Sequence, residues 1–457
     1  MTQPVDDLLE AMTLEEKAWQ LVGTYVGVGA TESGGLIDLE MAKDLVADQM
    51  IGTVAAFGIG NSLHTTRAKL PRQQTTYSAP ALEESRLGIP LMMPVDGVHG
   101  HGYIAGATVF PHNLGLAATF DEDLAERVAE VTAREVRATG GTQNYSPGTD
   151  VARDPRWGRT YETFGESPHL VSRLAAAKVR GYQGSDLAAD DAVVATPKHF
   201  PAYSAPRRGE DASPVDISEY TLRRVFLPPF EATLAAGARS IMPCYNSLNG
   251  DPVHGSAHYL TELLREELGF TGYVVSDWSG VRMLESHHGT ATDMTDAVRQ
   301  TTTAGLDIAS IGQAEHAREL ISLVETGAIP ESKLDDSVRR VLSVKAEQGL
   351  FEDPYVDPDR CVEILGRADH RAVAQEATSR GITLLENHGL LPLEGVESIS
   401  VTGHAADDMR VQSGGWSAVQ EQEIPGTTVR RGARGHRGSR CCPRSSPRAQ
   451  RLRWGDR

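Results

Sequence analysis

Four Cys are found in 457 residues: Cys244, Cys361 and the adjacent pair Cys441 and Cys442. None has zinc-like spacing, and so few exclude a disulfide framework and fit a reduced compartment. No apolar run reaches the roughly 18 residues that a membrane-spanning helix needs. The opening stretch "MTQPVDDLLEAMTLEEK" is acidic where a secretory leader requires a basic start and an apolar core, so a cytoplasmic protein is expected. Lys is scarce as well, with 7 against 37 Arg. The 62 acidic and 44 basic residues give a net charge of −18. Ten Arg fall between 430 and 457, and without that segment 61 acids face 34 bases, a net of −27. Such an acidic, Lys-poor surface argues against nucleic acid as a partner and suits solubility at high salt.

Several familiar motifs are missing. "GVGATE" at 27 to 32 lacks the third Gly of a dinucleotide loop and reads as a plain loop. There is no G-x-S-x-G nucleophile elbow. His99 and His101 have no third ligand at usable spacing, so no metal is expected. No cofactor is implied.

What is present has a clear organisation. The length suggests two domains. "DDLLEAMTLEEKAWQLVG" is amphipathic at helical spacing and contains a Thr13 to Glu16 capping box. From about 50 to 310, apolar runs alternate with helical patterns. The runs are "IGTVAAF", "IPLMMPVDG", "TQNYSPGTD", "AVVATPKHF", "RSIMPCYN", "GYVVSDW" and "GLDIAS". Strand then helix, repeated this often, predicts an α/β fold with a parallel sheet closed as a (β/α)8 TIM-type barrel. The barrel is assigned to residues 1–350 and a Pro-rich linker to 351–371. Residues 372–429 then open a second, sandwich-type α/β domain that is incomplete. The segment 430–457 has almost no apolar periodicity and is expected to be disordered. Two readings stand for it, a basic arm or the product of a reading-frame shift. The abrupt onset and the clash with the acidic body favour the frame shift.

Polar residues gather at the C-terminal ends of the predicted strands, where a parallel barrel builds its active site. Asp96 follows "IPLMMPV", Lys198 and His199 follow "VVATP", Tyr245 and Asn246 follow "IMPC", and Asp277 follows "GYVVS". Each has a structural rival. Asp277 could cap the next helix, and Lys198 with His199 could form a strand-end ion pair. Arg159 could pair with Glu162 or Glu166, and Trp157 reads as core. Carboxylates, fixed cations and indole faces at one mouth are nevertheless what a sugar pocket requires, because ionised groups take hydroxyls by charge-assisted hydrogen bonds.

The chain resembles the N-terminal part of a family 3 glycoside hydrolase of the β-glucosidase type. The segments that carry the likeness include "LGIPLMMPVDGVHG", "DVARDPRWGRTYETFGESP", "KHFPAYSAPRRGEDASPVDIS", "MPCYNSLNG", "GYVVSDWSGV" and "LLENHGLLPL", and the likeness covers about 1 to 429. It implies retaining, exo-acting hydrolysis of terminal β-D-glucosyl residues, with Asp277 as nucleophile. It implies sugar binding by Asp96, Arg159, Lys198 and His199, with Tyr245 lying against the nucleophile. Trp278 would form one wall of an aromatic clamp and Trp416, in "GGWS", the other. A β-xylosidase is not separated by these motifs. The expected ligand is a small β-linked oligosaccharide or an aryl or alkyl glycoside. Neither nucleic acid nor membrane is expected as a partner, and a homo-oligomer is compatible. In β-glucosidase members the acid/base Glu lies beyond the recognisable part of this chain, and the loop "AYSAPRRGEDASPVD" lacks the His of the N-acetylglucosaminidase branch. Glu210 and Asp211 lie in that loop without a motif to support either. The acid/base is therefore unassigned. Impaired turnover, or a catalytically dead sugar-binding fragment, is the expected consequence.

Overall fold

A computed structural model describes residues 5–25, 44–55, 78–104, 106–417 and 450–452. The predicted loop at 27 to 32, Cys441 and Cys442 lie outside the described residues.

The N-terminal capping box forms as the sequence indicates. Thr13 N donates to Glu16 Oε2 at 2.8 Å and Glu16 N donates to Thr13 Oγ1 at 3.3 Å. The cap divides the amphipathic stretch into two helices, Val5–Ala11 and Leu14–Gln20. Longer helices follow the same logic. Asp121 caps Glu122–Ala138, Ser167 caps Pro168–Gln183, and Asp293 caps Met294–Ala304, each accepting a bond from a free N–H of the first turn. The first two pack so closely that a Cβ on Gly181 would lie 2.3 Å from the Glu126 carbonyl oxygen. The predicted helix "SEYTLRRVFLPPFEATLAAG" is broken by a π-helical turn, Leu222–Phe226, before Leu227–Ala235. Pro228 and Pro229 follow one residue later, and their missing N–H groups interrupt the regular bonding ladder.

The strands of the main circuit pair in parallel. Gly23–Tyr25 lies beside Thr53–Ala55, and Thr53 bridges to Met92. Pro94–Val95 pairs with Gln143–Asn144, which pairs with Val194–Ala195. Three residues further along the same segment, Lys198–Phe200 pairs with Ser240–Pro243, which pairs with Tyr273–Val274. Val275 bridges to Ile308, and Ala309 bridges to Val22, next to the first strand. The predicted strand "GLDIAS" is represented by those two bridges alone. Strands with apolar residues on both faces belong to parallel sheets covered on both sides, and Ile241, Val274 and Phe200 are all fully buried.

The helix Ala368–Gly381, read as the start of the second domain, is docked on Glu122–Ala138. Arg127 holds Glu376 through two bonds, and buried Glu135 holds His370 at 2.8 Å. Beyond it the chain is open, with Ile382, Leu384, Leu385, Leu390, Leu391 and Leu393 exposed. The predicted strand near 398 is Ile399–Val401, paired antiparallel with Gln450–Leu452 of the Arg-rich segment. Among the described residues, no helix is long and apolar enough to cross a membrane.

Candidate active site

The strand ends converge on one cavity of ≈ 190 Å³, lined by Asp96, Tyr145, Arg159, Lys198, Met242, Tyr245, Asp277, Trp278, Ser310 and Trp416. Seven of the eight residues given a role by the family likeness therefore line it, while Asn246 turns away to donate to the Ser213 carbonyl oxygen. The eighth, His199, stands directly behind.

Asp277 follows the strand Tyr273–Val274 by three residues. Tyr245, at the end of the neighbouring strand, donates its hydroxyl to Asp277 Oδ1 at 2.6 Å. Burial pushes the Asp277 carboxyl up to about 6, against the pull of the Arg159 and Lys198 charges and the Tyr245 hydroxyl. The chain then turns sharply, with φ of +24° at Trp278 and +53° at Ser279. Such left-handed geometry in residues other than Gly is held by its surroundings. The turn also sets the Trp278 indole on the cavity wall.

Asp96 and Lys198 form a buried pair, Nζ to Oδ1 3.1 Å. Lys198 thus pairs with Asp96 rather than with His199, whose own partner is Asp150, and the Lys198 pair lies inside the cavity. Arg159 is gripped by Glu162 through two bonds of 2.8 and 3.0 Å and also donates to the Tyr203 hydroxyl at 3.1 Å. Glu162 therefore plays the structural part foreseen for it while Arg159 still faces the cavity. His199 accepts from Arg159 at Nε2 over 3.1 Å, so its proton sits on Nδ1, 2.9 Å from Asp150 Oδ2. Burial and the neighbouring Arg159 and Lys198 charges hold His199 well below its usual pKa, in the neutral form. Its Nε2 is 3.6 Å from Asp277 Oδ2, too far for a hydrogen bond.

Trp416 covers the two cations, its ring centroid 5.1 Å from Lys198 Nζ and 5.7 Å from the Arg159 guanidinium. Its turn is held at Gly415 O, 2.8 Å from His99 Nε2. Gly102 leaves room for it, since a Cβ there would lie 2.9 Å from Trp416 O. His99 and His101 thus serve backbone and side-chain contacts, His101 reaching Thr139 at 2.9 Å. Trp157 is buried and donates to Asp211 Oδ1 at 2.8 Å, and Tyr203 donates to the other oxygen. Asp211 is thereby occupied on both oxygens, and Glu210 is exposed.

Tyr145, Met242 and Ser310 line the cavity without having been singled out, and Asp150 and Tyr203 support it. Asp150 and Ser310 end predicted strands, so the rule that found Asp277 could have found them, whereas Tyr145 lies in the middle of the run "TQNYSPGTD". Met242 carried no polar signal.

A cavity with two carboxylates, two cations and two indoles, built at parallel strand ends and completed by the loops of Arg159 and Trp416, matches the chemistry of sugar binding. The comparisons agree. The Glycosyl hydrolase family 3 N terminal domain matches residues 13–344. The chain belongs to glycoside hydrolase family 3. Among family 3 relatives, it is 36% identical to the lysosomal beta glucosidase of Dictyostelium discoideum over 454 residues, covering 94% of this chain and 55% of that protein. It is 37% identical to a beta-xylosidase of Formosa agariphila, covering 75% of this chain and 49% of that protein. The exo-1,3/1,4-beta-glucanase of a Pseudoalteromonas species superposes with a TM-score of 0.81 at 33% identity, covering 91% of this chain and 51% of that one. The beta-glucosidase of Listeria innocua, solved with glucose, gives 0.75 at 34% identity, covering 85% and 53%. The chain thus spans about half the length of these family 3 relatives.

Proposed function

We propose that the chain carries the glycone-binding and nucleophilic half of a retaining, exo-acting β-glucosidase. The observation that carries this reading is Asp277, hydrogen-bonded to Tyr245 inside a cavity that also holds Asp96, Lys198, Arg159 and the two indoles. The unbroken circuit of parallel pairings, returning from Ala309 to Val22, supports closure as an eight-stranded barrel within residues 1–350. Residues 372–429 are assigned to a second domain that contributes Trp416.

In the proposed reaction, Asp96, Lys198 and Arg159 hold the sugar hydroxyls by charge-assisted bonds. The ionised Asp277 attacks the anomeric carbon as the bond to the leaving oxygen breaks, giving a covalent glycosyl-enzyme. Tyr245 steadies one carboxylate oxygen and leaves the other to react. Water then displaces Asp277 and restores the β configuration. Asp277 and Asp96 are the carboxylates lining the cavity, and Asp96 is committed to Lys198. The group that protonates the leaving oxygen is therefore not assigned to this chain's described residues, and glycosides with poor leaving groups are expected to react slowly.

A β-xylosidase is the second reading, favoured by the 37% identity to the Formosa agariphila protein. Comparison of dinitrophenyl β-glucoside and β-xyloside, followed by proton NMR, tests both. β-Glucose as the first-formed anomer supports the proposal. α-Glucose first, or xyloside as the preferred substrate, contradicts it. Glucose binding without turnover of either substrate points to a sugar-binding fragment.

A further inference from the structure

We infer that His254 fixes the main chain of Asp277 and is a positioning residue for formation of the glycosyl-enzyme, an inference that rests on the reading of Asp277 given above. His254 does not line the cavity. It is buried between the strand ends that carry Tyr245 and Asp277. Its Nδ1 lies 3.0 Å from the Cys244 carbonyl oxygen, and its Nε2 lies 3.2 Å from the Asp277 main-chain nitrogen. A carbonyl oxygen only accepts and an amide N–H only donates. The ring satisfies both only when neutral, with its proton on Nδ1 and a lone pair on Nε2. An imidazolium would set N–H against N–H. Burial keeps the ring neutral, pushing it down to about 3, with the nearby His288 working in the same direction.

The geometry around this bond explains why it matters. The Cys244 carbonyl that orients His254 immediately precedes Tyr245, whose hydroxyl holds Asp277 Oδ1. One strand end therefore grips Asp277 twice, at the side chain through Tyr245 and at the main chain through His254. The two rings stack, 18° apart in plane and 6.2 Å between centroids. Just after Asp277 the backbone enters the left-handed region at Trp278 and Ser279, which ordinary side chains do not favour. His254 holds that turn at the Asp277 amide, and Ser310 Oγ reaches the Asp277 carbonyl oxygen at 3.4 Å. Gly280 completes the fit, because a Cβ at that position would lie 2.3 Å from His254 Nε2. A side chain at 280 would push the imidazole off the Asp277 amide.

The test uses the full chain and a dinitrophenyl 2-deoxy-2-fluoro-β-glucoside, with the rate of adduct formation read by intact mass. Misplacement of a nucleophile by about 1 Å lowers rates by up to roughly 100-fold. His254→Phe keeps the stacked ring but removes both nitrogens, and Gly280→Ala displaces the ring. Both should label about 10- to 100-fold more slowly than the native chain, while glucose affinity by calorimetry stays within about threefold. His254→Gln, whose amide can still accept from Asp277 N, should recover part of the rate. Native labelling rates in H254F and G280A would overturn the inference. So would a parallel loss of glucose binding, which a general loss of support for the pocket would produce. Nitrogen-15 NMR of histidine-labelled native chain adds a readout independent of labelling. The neutral Nδ1–H tautomer is expected for His254 from pH 5 to 8, and the Nε2–H tautomer or an imidazolium would overturn the inference. A native chain that takes no label at all defeats the reading of Asp277 as nucleophile, while the tautomer still decides the main-chain bond.

Discussion

At the residue scale, burial and two cations compete over Asp277. Burial prevails and lifts the carboxyl to about 6, yet attack on an anomeric carbon requires the carboxylate. The rate of glycosyl-enzyme formation is therefore expected to be full above about pH 7 and to fall as pH drops through about 6. A rate profile with the fluoroglucoside checks this, and a flat profile down to pH 4 would refute it. Tyr245 donates to the charged form and so lowers this pKa. A hydrogen bond to a charged group contributes about 1.5–3 kcal/mol, so Tyr245→Phe should move the acid limb up by about one to two pH units and slow the reaction. Asp96, Lys198, Tyr245 and Asp277 were legible because each stands at the end of an apolar run. Arg159 and Trp416 were legible only through the family likeness, since each lies in a loop with no periodic signal. Tyr203 was not singled out, because its hydrogen bond from Arg159 decides its part and only the tertiary fold brings the two together; Asp150, which ends the run "TQNYSPGTD", was within reach of the strand-end rule.

At the element scale, the buried carboxylate of Glu135 joins the helix Glu122–Ala138 to the chain that follows residue 365. It accepts from Thr108 N and Thr108 Oγ1 at 2.7 Å, from Gly366 N at 2.9 Å and from His370 Nδ1 at 2.8 Å. Burial works to raise its pKa, but the His370 and Thr108 donors prevail and hold it below the usual 4.5. A folded-state pKa below the unfolded one gives stability that is full above about 4.5 and is lost as pH falls through the lowered value. Glu135→Ala leaves buried donors unpaired and should lower stability by about 3 kcal/mol near pH 7, measured by urea unfolding. Its deficit against the native chain should shrink towards pH 3, and a deficit independent of pH would contradict this account. The helices were legible from caps and period. The breaks at Leu222–Phe226 and at Thr13 show where a proline pair or a cap overrides the period. Links such as Asp307 to Arg265 and Arg340 were not legible, because the partners are more than thirty residues apart and nothing local marks them.

At the scale of the whole molecule, the acidic charge of −18 opposes association, whereas the apolar run from Ile382 to Leu393 favours it. Leu385 is 92% exposed and Leu390 is 74% exposed. Apolar patches of this kind bind other apolar surfaces. The double substitution Leu385→Ser and Leu390→Ser should reduce dye binding and self-association in sedimentation, leaving adduct formation at Asp277 intact. Unchanged sedimentation would show that the run is not an adhesive face in solution. The overall α/β order was legible because strand and helix periods alternate from about 50 to 310. The parallel circuit was less so, since most of its pairings join residues some 30 to 50 positions apart and the closing one joins Val22 to Ala309, at opposite ends of the barrel segment.

The central claim is that Asp277 forms the covalent bond to sugar. It is tested most directly by peptide mapping after treatment with a dinitrophenyl 2-deoxy-2-fluoro-β-glucoside, whose leaving group departs without protonation. The account predicts one fluoroglucosyl group per chain, carried on Asp277 and absent from the Asp277→Asn variant. A folded chain that takes no label, or takes it on another residue, would contradict the account.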